Sequence, residues 1–286
     1  MNLRWEARGR LIVPGGGPPR IMGIVNVTPD SFSDGGRLPT PDDAAAHAAR
    51  LVDEGADLLD LGGESSRPGA EIVSVAEEVR RVVPAVEAIV AAVSVPVSVD
   101  TVKPEVARRA IEAGAVVIND IAALTGDPAM TRLAAETGAG VVLMHMAGNP
   151  RTMQLDPHYI DVVAEVYEWL ARRIEAVAAA GVARERIAVD PGIGFGKTFE
   201  HNLMLLRNLG RFASLGCVVL IGTSRKGFLG KITGRSTDQR QTASAVSALA
   251  AAVSGADVLR VHDVGPTADA IKVWSAQRGW GDEHKR

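Results

Sequence analysis

One pattern recurs along the chain. A stretch with helical spacing of apolar residues ends at a glycine, a short continuous apolar run follows, and the run breaks into polar residues. The segments "EGADLLDLGGE", "EAGAVVIND", "ETGAGVVLMH", "AAGVARERIAVD" and "SGADVLRVHD" all have this form. Gly55, Gly114, Gly138, Gly181 and Gly255 stand where a helix C-terminus takes a left-handed residue. With the apolar runs at Ile21–Val25, Val95–Val99 and Val218–Ile221 there are eight such strands, each separated by enough chain for a helix. Continuous rather than alternating apolarity is what a parallel strand covered on both faces requires. Strands alternating with helices predict an α/β chain with a parallel sheet. Eight similar units over about 250 residues fit a closed (β/α)8 barrel, a TIM barrel, better than an open sheet.

The intervening helices follow the same logic. Pro104 suits a first helical turn, Val106, Ala107, Ala110 and Ile111 make one apolar face, and Gly114 ends it. The expected organisation is an N-terminal hairpin or arm over residues 1–20 that closes the barrel's bottom, a single domain over 21–280, and a polar tail over 281–286. The Ala-rich run Ala243–Ala252 reads as a tightly packed helix.

Composition narrows the function. With 47% hydrophobic and 23% charged residues the 286-residue chain reads as globular. A formal charge of -3 without long like-charge blocks gives no reason to expect nucleic acid or an anionic membrane as partner. One cysteine, Cys217, excludes an internal disulfide, and no Cys or His pair has zinc-ligand spacing. The start lacks a secretory apolar segment and no run approaches the ~20 apolar residues of a membrane span. A cytoplasmic location is expected.

In a parallel barrel all strand C-termini open on one mouth. The residues delivered there are Asn26, then Gly62-Gly63-Glu64-Ser65-Ser66-Arg67, Asp100, Asn119-Asp120, His145, Asp190, Ser224-Arg225-Lys226, and Arg260 with His262. Any one of them alone is more often a loop residue or a cap. Together they divide into two chemistries. Asp100, Asn119 and Asp190 end apolar strands, where a buried carboxylate is costly unless hydrogen bonds are donated to it, and a ligand with a row of N–H groups would donate them. Arg67, Arg225, Lys226, Arg260 and His262 ask for an anion, and the loops after strands seven and eight commonly hold phosphate. The mouth thus suits a nitrogen heterocycle joined to phosphate.

The Gly-rich "DPGIGFGKT" is neither a P-loop, since Pro191 occupies the position of its first Gly, nor a dinucleotide fingerprint, since Gly192, Gly194 and Gly196 alternate. Its glycines read either as backbone approaching a flat ligand, with Phe195 as a wall, or as a merely flexible loop. His145 reads as a general base or, more commonly for such a position, as a packed histidine.

The motifs "MGIVNVTPDSFSDGG", "GGESSRPGA", "VSVDT", "VIND", "VLMHMAGNPRTMQ", "DPGIGFGKTFEHN", "GTSRKGFLG" and "RVHDV", in this order from Ile21 to Lys272, closely resemble the dihydropteroate synthases, the sulfonamide target of folate biosynthesis. The resemblance implies a transferase that joins 7,8-dihydropterin-6-ylmethyl diphosphate to 4-aminobenzoate, giving 7,8-dihydropteroate and diphosphate. It also implies Mg²⁺, with Asn26 as ligand, and a homodimer. Asp190 would meet the pterin 2-amino and N3–H edge, Asn119 and Asp100 its other ring nitrogens, and Lys226 its carbonyl and N5. Ser66, Arg260 and His262 would hold the diphosphate. The loops Thr28–Gly36 and Glu64–Ala70 would fold over the substrates, with Phe32, Asp34, Arg67 and Pro68 as lid and aminobenzoate-pocket candidates. The implied catalytic set is Asp100, Lys226 and Asp34, with Phe195 among the binding residues. Ser66 stands where many members carry Thr, which keeps the hydroxyl. The rival readings are a pterin-binding methyltransferase barrel and a non-catalytic pterin-binding paralogue.

Overall fold

The computed structural model describes residues 3–28, 40–65 and 72–280. Two short strands, β1 (Trp5–Ala7) and β2 (Arg10–Val13), form an antiparallel hairpin. Eight more close into a parallel barrel: β3 (Arg20–Asn26), β4 (Leu58–Gly62), β5 (Val97–Asp100), β6 (Val117–Asp120), β7 (Gly140–Met144), β8 (Ile187–Asp190), β9 (Val218–Ile221) and β10 (Val258–Val261), with β10 pairing back onto β3. This is the expected TIM barrel. The helices between and after the strands are α1 (Pro41–Asp53), α2 (Val75–Ala92), α3 (Pro104–Glu112), α4 (Pro128–Thr137), α5 (Val162–Ala179), α6 (Phe199–Arg207), α7 (Leu209–Ala213), α8 (Gly227–Thr233), α9 (Gln241–Val253) and α10 (Val264–Gln277).

Local chemistry sets these boundaries. The α1 helix starts at Thr40, which accepts from the Asp43 backbone N–H while the Asp43 carboxylate accepts from Thr40, a reciprocal cap. The α3 helix buries Val106, Ala107, Ala110 and Ile111 as its spacing predicts. Gly138 closes α4 with φ 68°. The repeated "GAD" before β4 and β10 has one use. Asp57 accepts from the Ile21 N–H and Asp257 from the Val219 N–H, each at 2.8 Å, which ties a strand start to its neighbour.

Side chains alternate across each strand, so one set faces the helices and the other the barrel axis. The outward set, including Leu59, Leu61, Val99 and Ile118, packs with Val82, Val86, Ile89 and Ile111 of the helices. The inward set changes character from bottom to top. Met22, Leu58, Val117, Val142, Ala188, Val218 and Val258 form a second apolar cluster with Trp5, Ala7, Ile12 and Val13 of the hairpin. Trp5 is fully buried and its Nε1–H donates to the Arg186 carbonyl at 3.0 Å. The hairpin therefore seals the lower end. Two residues further along the same strands the inward positions are Asp60, Asn119, Asp190 and Arg260. The polar end of the barrel is where its chemistry must lie.

Candidate active site at the strand ends

Parallel register sets one side of the mouth. Asn26 pairs with Gly62, Gly62 with Asp100 and Asp100 with Asn119, so four neighbouring strands present these residues as one row. Arg260 reaches this row from β10. Its Nη2 donates to Asp100 Oδ2 at 2.7 Å and its Nε to Asp60 Oδ2 at 2.6 Å. Asp60 Oδ2 also accepts from Asn119 Nδ2 at 2.9 Å. Burial, with Asp60, Asp120 and Glu78 adding to it, pushes the Asp100 carboxyl up to about 7 against the opposing pull of Arg260. Burial of Arg260 is outweighed by Asp60 and Asp100, which hold its guanidinium charged.

Asp60 was not anticipated from the sequence. The signal was there: a single carboxylate inside the otherwise apolar "LLDLG", at the same alternation as Leu58 and Gly62. Asp120, one residue beyond Asn119, faces the other way. Its carboxylate accepts from the Ala122 and Leu124 N–H groups at 2.7 and 2.9 Å, and so shapes the turn rather than the cavity.

The opposite wall comes from β8 and β9. Asp190 is buried, and Oδ1 accepts from the Gly192 N–H at 2.7 Å. Burial raises its pKa, opposed by Lys226 and by that N–H. Lys226 Nζ donates to the Ile193 carbonyl and lies 4.7 Å from the Phe195 ring centroid, a cation–π contact. Burial lowers Lys226 to about 8. Two of the "PGIGFGK" glycines answer to the protein's own chain: a methyl on Gly192 would sit 1.9 Å from the His145 carbonyl oxygen, and one on Gly196 2.9 Å from the Ala147 carbonyl oxygen; Gly194 faces the Lys226 side chain. His145 is the packed histidine. It meets Trp169 edge-on at 5.0 Å, and Lys197 Nζ lies 3.0 Å from its Nδ1. Lys197 also donates to the Phe195 carbonyl at 2.8 Å, which ties this loop to the end of β7.

On the anion side, Ser224 Oγ accepts from the His262 N–H at 3.1 Å and stands 3.0 Å from its Nδ1. Arg225 is not a free cation as expected; it pairs with Asp263, Nη2 to Oδ1 at 2.5 Å and Nε to Oδ2 at 3.1 Å. Space at the mouth is kept open by inward glycines. A methyl on Gly62 would lie 3.6 Å from Asn26 Oδ1 and 3.7 Å from Asp100 Cβ, and one on Gly222 would approach Arg260 and Lys226 at 3.9 and 4.0 Å. Among the described residues no cluster of three His, Cys, Asp or Glu groups is placed to hold a metal. The single hard oxygen of Asn26 beside the Gly62 gap fits Mg²⁺, which keeps waters and takes substrate phosphate oxygens.

Phe32, Asp34, Ser66, Arg67 and Pro68 lie outside the described residues. The chain on either side of 66–71 is anchored by one network. Lys103 Nζ donates to Glu64 and Glu78, Thr101 Oγ1 donates to Glu78 at 2.7 Å, and the Val73 N–H donates to Glu64 at 3.3 Å.

Asp100 and Asn119 on one wall, Asp190 with a lysine over an aromatic ring on the other, and an arginine between them meet at the polar end of the barrel. A family model described as pterin binding enzyme matches residues 22–262. Dihydropteroate synthase of Escherichia coli (strain K12) is 48% identical over 258 residues, 90% of this chain and 91% of the relative. The chain belongs to the dihydropteroate synthases. Among solved structures, Xanthomonas albilineans dihydropteroate synthase with 4-aminobenzoic acid superposes with TM-score 0.89 at 50% identity, covering 97% of this chain and 99% of the other. The same enzyme in complex with 7,8-dihydropteroate gives 0.86 at 48% identity, covering 96% and 98%. At this similarity the methyltransferase and silent-paralogue readings are not favoured.

Proposed function

We propose that Asp190 on one wall and Asn119 and Asp100 on the other take the hydrogen-bonding groups of 7,8-dihydropterin-6-ylmethyl diphosphate, with Lys226 and Phe195 against the ring. Arg260, His262 and Ser66 then hold the diphosphate, and Arg67 and Pro68 border the 4-aminobenzoate. The activity is that of a transferase, a dihydropteroate synthase. The observation that carries the site assignment is the convergence of Asp100, Asn119, Asp190, Lys226 and Arg260, from five strands or strand ends, at one end of the barrel.

The reaction breaks the bond between the pterin methylene carbon and the diphosphate oxygen, and the electron pair leaves with diphosphate. The methylene then carries positive charge shared with the ring. Asp100, ionised, stabilises that charge, while Arg260 and His262 stabilise the departing anion. The aminobenzoate nitrogen attacks the methylene, forms the C–N bond and releases one proton. No side-chain nucleophile is needed. Bound Mg²⁺ at Asn26 would neutralise diphosphate charge as bond cleavage proceeds. Asp34 joins the catalytic set by family resemblance alone.

The domain reading is one pterin-binding unit over 21–280. A cytoplasmic home is supported by the chain's single thiol, Cys217, a usage typical of reducing compartments. The expected homodimer would cover the groove of about 930 Å³ between α6, α8 and α9, bordered by exposed Ile232 and Val246. Sedimentation as a monomer at micromolar concentration would count against that pairing.

The test of activity is direct. The two substrates with Mg²⁺ should release diphosphate and form dihydropteroate, chelation should slow release, and a sulfonamide should compete with 4-aminobenzoate. No diphosphate release under any metal condition rejects the synthase reading.

A further inference from the structure

Asp60 is fully buried in the middle of β4, and its partners divide unevenly. Oδ2 accepts from both Arg260 Nε and Asn119 Nδ2, whereas Oδ1 is buried with no hydrogen-bond partner among the described residues. For the fold alone this is a poor choice. A buried ion pair is often replaced whole by apolar residues of similar volume without loss of stability. What the carboxylate does supply is polarity. It can only accept, so the end of the Asn119 amide that faces it must be the NH₂ group. An amide whose two ends are otherwise interchangeable is thereby oriented. Asn119 Oδ1 has no partner among the described residues. It is left as an acceptor on the row that ends in the mouth.

We propose that Asp60 is a positioning residue that sets the hydrogen-bonding polarity of the pterin pocket. Through Oδ2 it commits the Asn119 amide nitrogen inward and its carbonyl oxygen to the substrate, and it holds Arg260 Nε so that Nη2 meets Asp100. This rests on the pterin reading above and deepens it. Asp60 does not touch substrate. It acts through two residues that do, and the chemical class it favours is a ring edge rich in N–H donors.

Two substitutions separate this from a structural role. Asp60→Leu keeps approximate shape and removes the acceptor. Asp60→Asn can keep a carbonyl oxygen where Oδ2 now stands. The Leu variant is expected to bind 7,8-dihydropterin-6-ylmethyl diphosphate at least tenfold more weakly by calorimetry, with the KM for 4-aminobenzoate within twofold of the parent. The Asn variant is expected to recover most of the lost affinity. Parental affinity in the Leu variant, or an equal loss for both substrates in step with a lowered melting temperature, overturns the proposal. If the Leu variant does not fold, side-chain amide NMR of the free parent decides. One Asn119 amide proton should be shifted downfield and protected from exchange, and should move in Asp60→Asn; two ordinary, exposed protons overturn it. A parent that shows this NMR signature yet releases no diphosphate would fail the assigned reaction and not this relationship.

Discussion

Arg260 Nη2 lies 2.7 Å from Asp100 Oδ2, so the last barrel strand is tied to the third across the mouth. Because the same guanidinium also holds Asp60, removing it leaves two carboxylates facing each other in a buried setting. Arg260→Ala should therefore cost roughly 3–5 kcal/mol of stability as well as diphosphate affinity. Arg260→Lys should recover only part, since an ammonium lacks the planar fork. Urea denaturation of the two variants checks this; a loss under about 1 kcal/mol in the Ala variant contradicts it.

The second prediction concerns pH. Burial places the Asp100 carboxyl at about 7 in the folded chain, above its ordinary value of 3.8. The folded state thus binds the proton more tightly than the unfolded state between these values, and this group's contribution to stability falls as pH rises from about 4 to about 7. Replacement by Asn removes the titration. The unfolding free energy of the parent minus that of Asp100→Asn should decline across this window, by a few kcal/mol at most because the side chain retains some exposure. A flat difference would show that Asp100 is ionised throughout.

Asp190→Ala removes the buried carboxylate of the proposed pterin site and the acceptor of the Gly192 N–H. Charge-assisted hydrogen bonds contribute roughly 1.5–3 kcal/mol each, so pterin diphosphate affinity should fall by roughly 100-fold or more. Calorimetric titration with the pterin diphosphate reads this, and parental affinity would displace Asp190 from the site.

Gly192 and Gly216 have nearly the same backbone, with φ of 71° and 76°. Their surroundings differ: a methyl at 192 meets the His145 carbonyl oxygen at 1.9 Å, whereas one at 216 meets nothing within 4 Å. Gly216→Ala should cost only the roughly 1–2 kcal/mol of left-handed strain. Gly192→Ala should displace the loop that carries Ile193 and Phe195 and weaken pterin binding with it. Equal melting temperatures for the two variants would contradict this.

Most of the barrel was legible because its strands are buried on both faces, which leaves a largely apolar run in the text for each of the eight. Strand-end polarity was legible for the same reason: Asn119 and Asp190 interrupt such runs. What was hidden depends on pairing between distant segments. Nothing near Arg225 in sequence announces Asp263 as its partner, so its charge looked available for an anion. Nothing near Gly192 announces the His145 carbonyl, so the glycines looked like ligand contacts. Asp60 sits within a strand rather than at its end, and only the closed barrel brings Asn119 and Arg260 to it.

The buried Trp5 and its hairpin have a kinetic meaning. A vessel stoppered below has a single doorway. With the site proposed above, both partners enter, and the joined product leaves, on the side away from Trp5.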